Sequence, residues 1–307
     1  MPLVVIVGPT AVGKSALALE LVPLFGAEIV SADSRQVYRY MDIGTAKPSP
    51  EERARVPHHL IDVVNPDEDF NVSHFQRLAY QAIDDIHRRG RLPFLVGGTG
   101  LWIWAVVEGL RIPQVPPQPE LRRQLEELAA REGVTSLYHE LLEVDPDAAR
   151  RIDPHNVRRV IRALEVYRVT GKPISWHQRR EPPSYATLIL GLTISRPELY
   201  RRIDERVEDQ LRRGLVEETK QLVEMGYGWH LPSMSSLGYR QIGMYLRGEV
   251  TLSQAVQILK HDTHRFARQQ YTWFRLDDRR IRWIEATDGA REQAAELIAR
   301  FLRESGL

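Results

Sequence analysis

Gly8, Gly13, Lys14 and Ser15 stand in the order G-x-x-x-x-G-K-S, seven residues after the chain begins. In such a loop the backbone N–H groups can converge on one anion, the lysine adds a point charge, and the hydroxyl is able to hold Mg²⁺. Pro9, Thr10, Ala11 and Val12 fill the four open positions. The chemistry is phosphate binding. Nothing in the loop has to read a base, so it identifies a diphosphate without saying what is attached to it. A second group, Asp33 in I-V-S-A-D-S-R-Q-V-Y, follows an apolar run at the edge where open α/β sheets put their ligands. Its carboxylate suits a metal ligand, a general base or the N-cap of the segment behind it.

Positioning these groups requires a sheet. Short apolar, mostly β-branched runs at Leu3–Val7, Glu28–Ser31, Leu60–Val64, Pro93–Val96, Leu188–Thr193 and Ile281–Ile284 alternate with helical stretches. That alternation predicts an α/β fold with a parallel core, and a phosphate loop between strand and helix makes it P-loop NTPase-like. From Ile112 to Pro119 the text turns proline-rich, and from Glu120 to about Arg180 it is charged, helical and almost free of strand signals, ending at Pro182-Pro183. The expected organisation is a catalytic core of residues 1–112 and 184–307 interrupted by a helical insertion at 113–183.

At 307 residues and 43% hydrophobic, the chain has enough material for a sizeable core. Forty-two basic residues balance 41 acidic ones, so a polyanionic partner must be met by local clusters and not by a global field. There is no cysteine, no apolar run long enough to span a bilayer and no charged-then-apolar leader, so a cytoplasmic protein without a membrane role is expected. Adjacent His58 and His59 cannot share a metal from one strand, and His261 with His264 lacks companions at a zinc spacing.

Further segments make the pattern more specific. G-P-T-A-V-G-K-S, S-A-D-S-R-Q-V-Y, M-D-I-G-T-A-K-P, H-H-L-I-D-V-V-N-P, V-G-G-T-G-L, N-V-R-R-V-I-R-A-L-E-V-Y, T-G-K-P-I-S, L-G-Y-R-Q-I and Q-Y-T-W-F-R follow one another along nearly the whole chain. Their order resembles that of the tRNA dimethylallyltransferases. The resemblance implies transfer of a five-carbon dimethylallyl group from dimethylallyl diphosphate to the exocyclic amine of the adenosine 3′ to the tRNA anticodon, with Mg²⁺ as cofactor. The loop would then hold an allylic diphosphate whose pyrophosphate leaves.

The same resemblance implies roles. Asp33 is the base for the amine, Thr10 a donor beside the diphosphate, and Arg206 the leaving-group arginine, with Arg268 as a further phosphate contact. Asp33, Ser34, Arg35, Gln36 and Thr99 match positions that touch the target nucleotide. Arg158, Arg159, Val160, Ile161 and Arg162 match an RNA-contacting segment, and Arg122 is a further backbone candidate. Spacing alone puts Arg158 and Arg162 one helical turn apart, which equally describes a solvated face. In T-H-R-F-A-R-Q-Q-Y-T-W-F-R, His264, Arg268 and Gln269 depart from the family's more basic wording, while Trp273 and Phe274 read as core. Tyr38, Trp102 and Tyr239 are stacking candidates for a splayed base, though each is also a core residue type. A P-loop small-molecule kinase, an isopentenyltransferase acting on free adenine nucleotides, and a non-catalytic RNA-binding protein are the competing readings. A monomer is expected to bind the anticodon stem-loop.

Overall fold

The computed structural model describes residues 1–113 and 115–306. The chain divides into two compact units, Met1–Val107 with Ser184–Leu307, and Glu108–Pro183. The proline-rich run expected at the first junction includes Gln114, which lies outside the described residues.

Six parallel strands form the first unit's sheet: β1 (Pro2–Val7), β2 (Ala27–Ser31), β3 (His58–His59), β4 (Leu92–Val96), β5 (Ala186–Thr193) and β6 (Ile281–Glu285). Their order is β3-β2-β4-β1-β5-β6. All residues of β1 are buried, as befits a parallel strand covered on both faces. Val5 pairs with Leu95 on one side and Ile189 on the other, so β1 separates the half of the sheet built before the second unit from the half built after it. Loops leaving β1, β2 and β4 therefore gather at one carboxyl edge, the usual ligand crevice of such a sheet.

Helices α1 (Lys14–Phe25), α2 (Pro50–Arg55), α3 (Val72–Arg88) and α4 (Gly100–Val107) precede the second unit. That unit consists of α5 (Pro119–Glu132), α6 (Val134–Val144), α7 (Pro146–Ala149), α8 (Val157–Thr170) and α9 (Ile174–His177). After it come α10 (Arg196–Arg212), α11 (Leu215–Glu224), α12 (Tyr239–Leu246), α13 (Leu252–Trp273) and α14 (Ala290–Glu304). Local rules account for them: α3 is capped by Asn71 Oδ1, which accepts the N–H groups of Ser73 and His74, and it buries Phe75, Ala79, Ile83 and Ile86 at helical spacing. One core joins Ile6, Leu17, Leu21, Phe94, Leu190, Ile203 and Ala267. A separate one, within the second unit, joins Leu125, Leu137, Leu141, Val160, Ile161 and Leu164.

One expected strand is displaced. Pairing with β2 stops at His59, and Leu60 and Asp62 adopt left-handed backbone with φ of 65° and 55°. Asp62 turns toward Lys47 and Arg53, with N···O distances of 2.6 Å to each, leaving Val64 a lone bridge to Tyr38. Among the described residues no helix is long and apolar enough to cross a membrane.

Candidate active site

The loop between β1 and α1 is held open by its backbone. Gly8 has φ 142°, and a Cβ there would stand 2.5 Å from the Leu192 carbonyl oxygen, so only glycine allows this approach to β5. Gly13 precedes α1 without a side-chain cap. The N–H groups of Ala11, Gly13, Lys14 and Ser15 find no acceptor among the described residues, which leaves the positive end of α1 directed to the crevice. The Thr10 N–H is different, being donated to Gln270 Oε1 at 2.7 Å. The Val12 N–H also turns inward, donated weakly to the Pro9 carbonyl at 3.4 Å, so the convergence of loop N–H groups on one anion excludes Thr10 and Val12.

Cations surround the loop. Lys14 Nζ donates to the Pro9 carbonyl at 2.7 Å. Burial, reinforced by the charge of Arg206 and opposed by Asp33, lowers the Lys14 ammonium to a pKa of about 7. Although the residue as a whole is half-buried, its charged end is screened from water well enough for burial to be the largest cause. Arg206, from α10, is lowered from its ordinary value by burial, with Asp33 pulling upward and Arg213 downward. Arg202, one turn earlier, donates weakly to the Val12 carbonyl at 3.4 Å while binding Glu198 at 2.9 Å. Arg268 is exposed and donates to Tyr200 Oη at 2.6 Å.

Asp33 sits just past β2, half-buried, its Oδ1 accepting the Arg35 N–H at 2.8 Å. This contact is a turn within the loop and not a helix cap, since the next helix starts at Pro50. Thr99 Oγ1 accepts the Ser34 N–H at 3.1 Å, joining the loop after β4 to that after β2. Gln36 accepts from Ser31 Oγ at 3.0 Å and donates to the Ala46 carbonyl at 3.2 Å, and Arg35 donates to the Pro232 carbonyl at 3.1 Å. The following segment is anchored by residues that sequence reasoning passed over. Glu218 accepts the N–H groups of Asp42, Ile43 and Gly44 at 3.0, 2.7 and 3.1 Å, and the Tyr239 hydroxyl at 2.6 Å. Buried Lys47 binds Asp42 and Asp62, both at 2.6 Å. Glu218 has no local motif, because its partners are distant in sequence and mostly backbone amides, whereas Lys47 and Asp42 both stand in M-D-I-G-T-A-K-P without their side chains having been singled out.

Several expectations change on inspection. Tyr38, Trp102 and Tyr239 are 5%, 5% and 0% exposed, which makes them core and removes them as stacking platforms. Phe274 is core as expected, but Trp273 is 38% exposed and gives its carbonyl to Trp104 Nε1 at 3.1 Å. His59 hydrogen-bonds Glu28 at 2.7 Å, while His264 stacks on Tyr200 with ring centroids 4.0 Å apart and lies 2.9 Å from Asp204 without hydrogen-bond geometry.

In the second unit, Val160 and Ile161 are buried in the helical core, so their side chains have no access to RNA. Glu165, fully buried on α8, accepts from Arg122 Nε at 2.8 Å, Arg162 Nη1 at 2.5 Å and the Gln118 N–H at 2.7 Å. Arg122 and Arg162 are thereby drawn into the frame, with the Glu165 carboxyl held below its usual range by these donors against the opposing effect of burial. Arg158 and Arg159 are exposed and make no side-chain ion pair among the described residues.

Among the described residues no cluster of three metal-ligating side chains occurs. The oxygen donors beside the loop are the Ser15 hydroxyl and, across from the two cations, Asp33. Hard oxygens in small number fit a divalent cation whose coordination is completed mostly by substrate phosphate and water.

Residues 36–277 match the family model described as IPP transferase, and residues 1–62 match one described as isopentenyl transferase. A tRNA dimethylallyltransferase from Roseiflexus sp. (strain RS-1) is 53% identical over 98% of this chain and 99% of its own length. The crystal structure of a tRNA isopentenylpyrophosphate transferase from Bacillus halodurans superposes with a TM-score of 0.74 at 42% identity, covering 99% of this chain and 98% of that one. A eukaryotic dimethylallyltransferase acting on tRNA superposes with a TM-score of 0.84 at 29% identity, covering 99% of this chain and 80% of the other. With that family model spanning residues 36–277 and a relative 53% identical over nearly the whole of both chains, the chain belongs to the IPP transferase family.

Proposed function

We propose that this chain transfers the dimethylallyl group from dimethylallyl diphosphate to the exocyclic amine of the adenosine on the 3′ side of a tRNA anticodon, in the cytoplasm. The observation that carries the reading is a loop with four unspent N–H groups, at Ala11, Gly13, Lys14 and Ser15, gathered at the carboxyl edge of the sheet with two cations, Lys14 and Arg206, that both feel the charge of Asp33.

The diphosphate lies on the amides of Ala11, Gly13, Lys14 and Ser15, with Lys14 and Arg206 on its oxygens. As the bond from the allylic carbon to the diphosphate oxygen breaks, negative charge grows on the leaving group where these donors already point. Arg268 is a further contact, once it exchanges its Tyr200 partner for phosphate. Thr10, whose N–H is committed to Gln270, serves through its hydroxyl. The Ser15 hydroxyl would hold a Mg²⁺, which would supply additional neutralisation of the leaving pyrophosphate.

The adenine amine attacks the same carbon from the other side. Its nitrogen forms the new C–N bond, and the proton it must shed passes to Asp33. The backbone turn from Asp33 to Gln36, braced by Thr99, meets the target nucleotide. In the second unit, Arg158 and Arg159 face the RNA phosphates, while Arg122 and Arg162 keep α8 in place through Glu165. Incubation with labelled dimethylallyl diphosphate, unmodified tRNA and Mg²⁺ tests the proposal. Label in the tRNA adenosine with release of one pyrophosphate per transfer supports it. Phosphoryl transfer from ATP, or transfer to free adenine nucleotides in preference to tRNA, refutes it.

A further inference from the structure

The side-chain amide of Gln270 joins two loops at the carboxyl edge of the sheet. It is 4% exposed, on α13, with Oε1 accepting the Thr10 N–H at 2.7 Å and Nε2 donating to the Gly98 carbonyl at 2.9 Å. Only this amide orientation satisfies both neighbours, because the reverse would face NH₂ to an N–H and oxygen to a carbonyl. Gly98 is fitted to it: a Cβ there would stand 2.2 Å from Gln270 Nε2. One residue onward, Thr99 Oγ1 accepts the Ser34 N–H at 3.1 Å, directly beside Asp33. A continuous tie thus runs from the phosphate loop through Gln270, Gly98 and Thr99 to the segment carrying the carboxylate.

We propose that Gln270 is a positioning residue for the transfer reaction, fixing the separation between the loop that holds the leaving group and the carboxylate that takes the proton. The inference rests on the assignment of the loop to the diphosphate and of Asp33 to the amine. In-line displacement needs the nucleophile, the allylic carbon and the leaving oxygen aligned, and a misplacement of about 1 Å can cost about 10²-fold in rate. Without the amide, the Thr10 N–H and the Gly98 carbonyl lose their shared partner, and the loops are joined only further back, where the Gly97 N–H meets the Ile6 carbonyl at 3.1 Å and the Ala32 N–H the Val96 carbonyl at 2.8 Å.

Three variants of the full chain test this: Gln270→Leu, Gln270→Glu and Gly98→Ala, each measured for single-turnover rate at saturating dimethylallyl diphosphate and tRNA, for tRNA affinity and for Tm. Gln270→Leu should slow the chemical step about 10²-fold with tRNA affinity within about twofold of the parent. Gly98→Ala should do the same by evicting the amide, and should slow Gln270→Leu no further when the two are combined. Gln270→Glu keeps the shape and the Thr10 bond but sets an oxygen against the Gly98 carbonyl, so its rate should fall as well; it replaces Gln270→Leu if that variant does not fold. A near-normal rate in folded Gln270→Leu or Gln270→Glu overturns the inference. So do rate losses that multiply in the combined variant, or losses that vanish once the unfolded fraction is corrected for. Asp33→Asn is measured in parallel. If it transfers normally, the base assignment falls and takes this inference with it, whereas a crippled Asp33→Asn beside an active Gln270→Glu overturns the positioning role alone.

Discussion

Arg206 adds its positive charge to the burial that loosens the proton on Lys14, and neither residue forms an ion pair among the described residues. Two cations desolvated by burial that share the field of a single carboxylate, Asp33, without ion-pair contact to it are an unfavourable arrangement that a further anion relieves. The leaving group of the proposed reaction is such an anion.

Proton uptake on donor binding follows from that relationship. With a pKa of about 7 in the free protein, Lys14 is largely neutral at pH 8. A diphosphate favours the charged form and drives the pKa back up, so binding near pH 8 should take up a proton, and donor affinity should decline as pH rises above about 7. Calorimetry in two buffers of different ionisation enthalpy reads the uptake. Lys14→Ala should abolish it and weaken donor binding roughly tenfold or more, the scale of a lost charge-assisted hydrogen bond, with tRNA affinity intact. Uptake that persists in Lys14→Ala contradicts the assignment.

The arginines of α8 should divide into two behaviours. Arg158→Ala with Arg159→Ala should weaken tRNA binding, flatten its salt dependence by about one unit of log–log slope per lost phosphate contact, and leave Tm unchanged. Arg162→Ala should instead lower stability by about 2 kcal/mol, because buried Glu165 loses a charged donor. Equal salt slopes before and after the Arg158 and Arg159 changes would return those residues to the solvated surface.

Glu218 should prove structural at a distance from the chemistry. Glu218→Ala orphans three N–H groups and the Tyr239 hydroxyl, and should cost roughly 3 kcal/mol in denaturant unfolding and expose residues 42–47 to limited proteolysis. Wild-type protection of that segment in Glu218→Ala would show that Lys47, together with Gln210 Nε2, which donates to the Ile43 and Gly44 carbonyls at 2.9 and 3.0 Å, suffices to hold it.

The phosphate loop and Asp33 were legible because their chemistry is local: glycines, a lysine and a hydroxyl at fixed spacing, and a carboxylate at a strand's end. Five of the six strands fell where apolar runs placed them. Leu60–Val64 failed because an apolar, β-branched run also describes a segment whose Asp62 is pulled out of register by Lys47 and Arg53. Gln270, Glu218 and Glu165 escaped notice for a common reason. Each is a polar residue on an ordinary helix whose partners are 260, 176 and 43 residues away at the Thr10, Asp42 and Arg122 contacts, and sequence spacing carries no trace of such a pairing. The paired arginines of α8 show the reverse error, since two cations one turn apart look alike until Glu165 claims one of them.

Asp33 decides the mechanism most directly. Single-turnover transfer by Asp33→Asn, measured over a range of Mg²⁺ concentrations beside a melting curve, separates a base from a metal ligand. The account predicts unchanged Tm, near-normal dimethylallyl diphosphate binding, and a chemical step slowed by roughly 10²- to 10⁴-fold that added Mg²⁺ does not restore. Transfer at close to the parent rate, or full recovery in excess Mg²⁺, would contradict it.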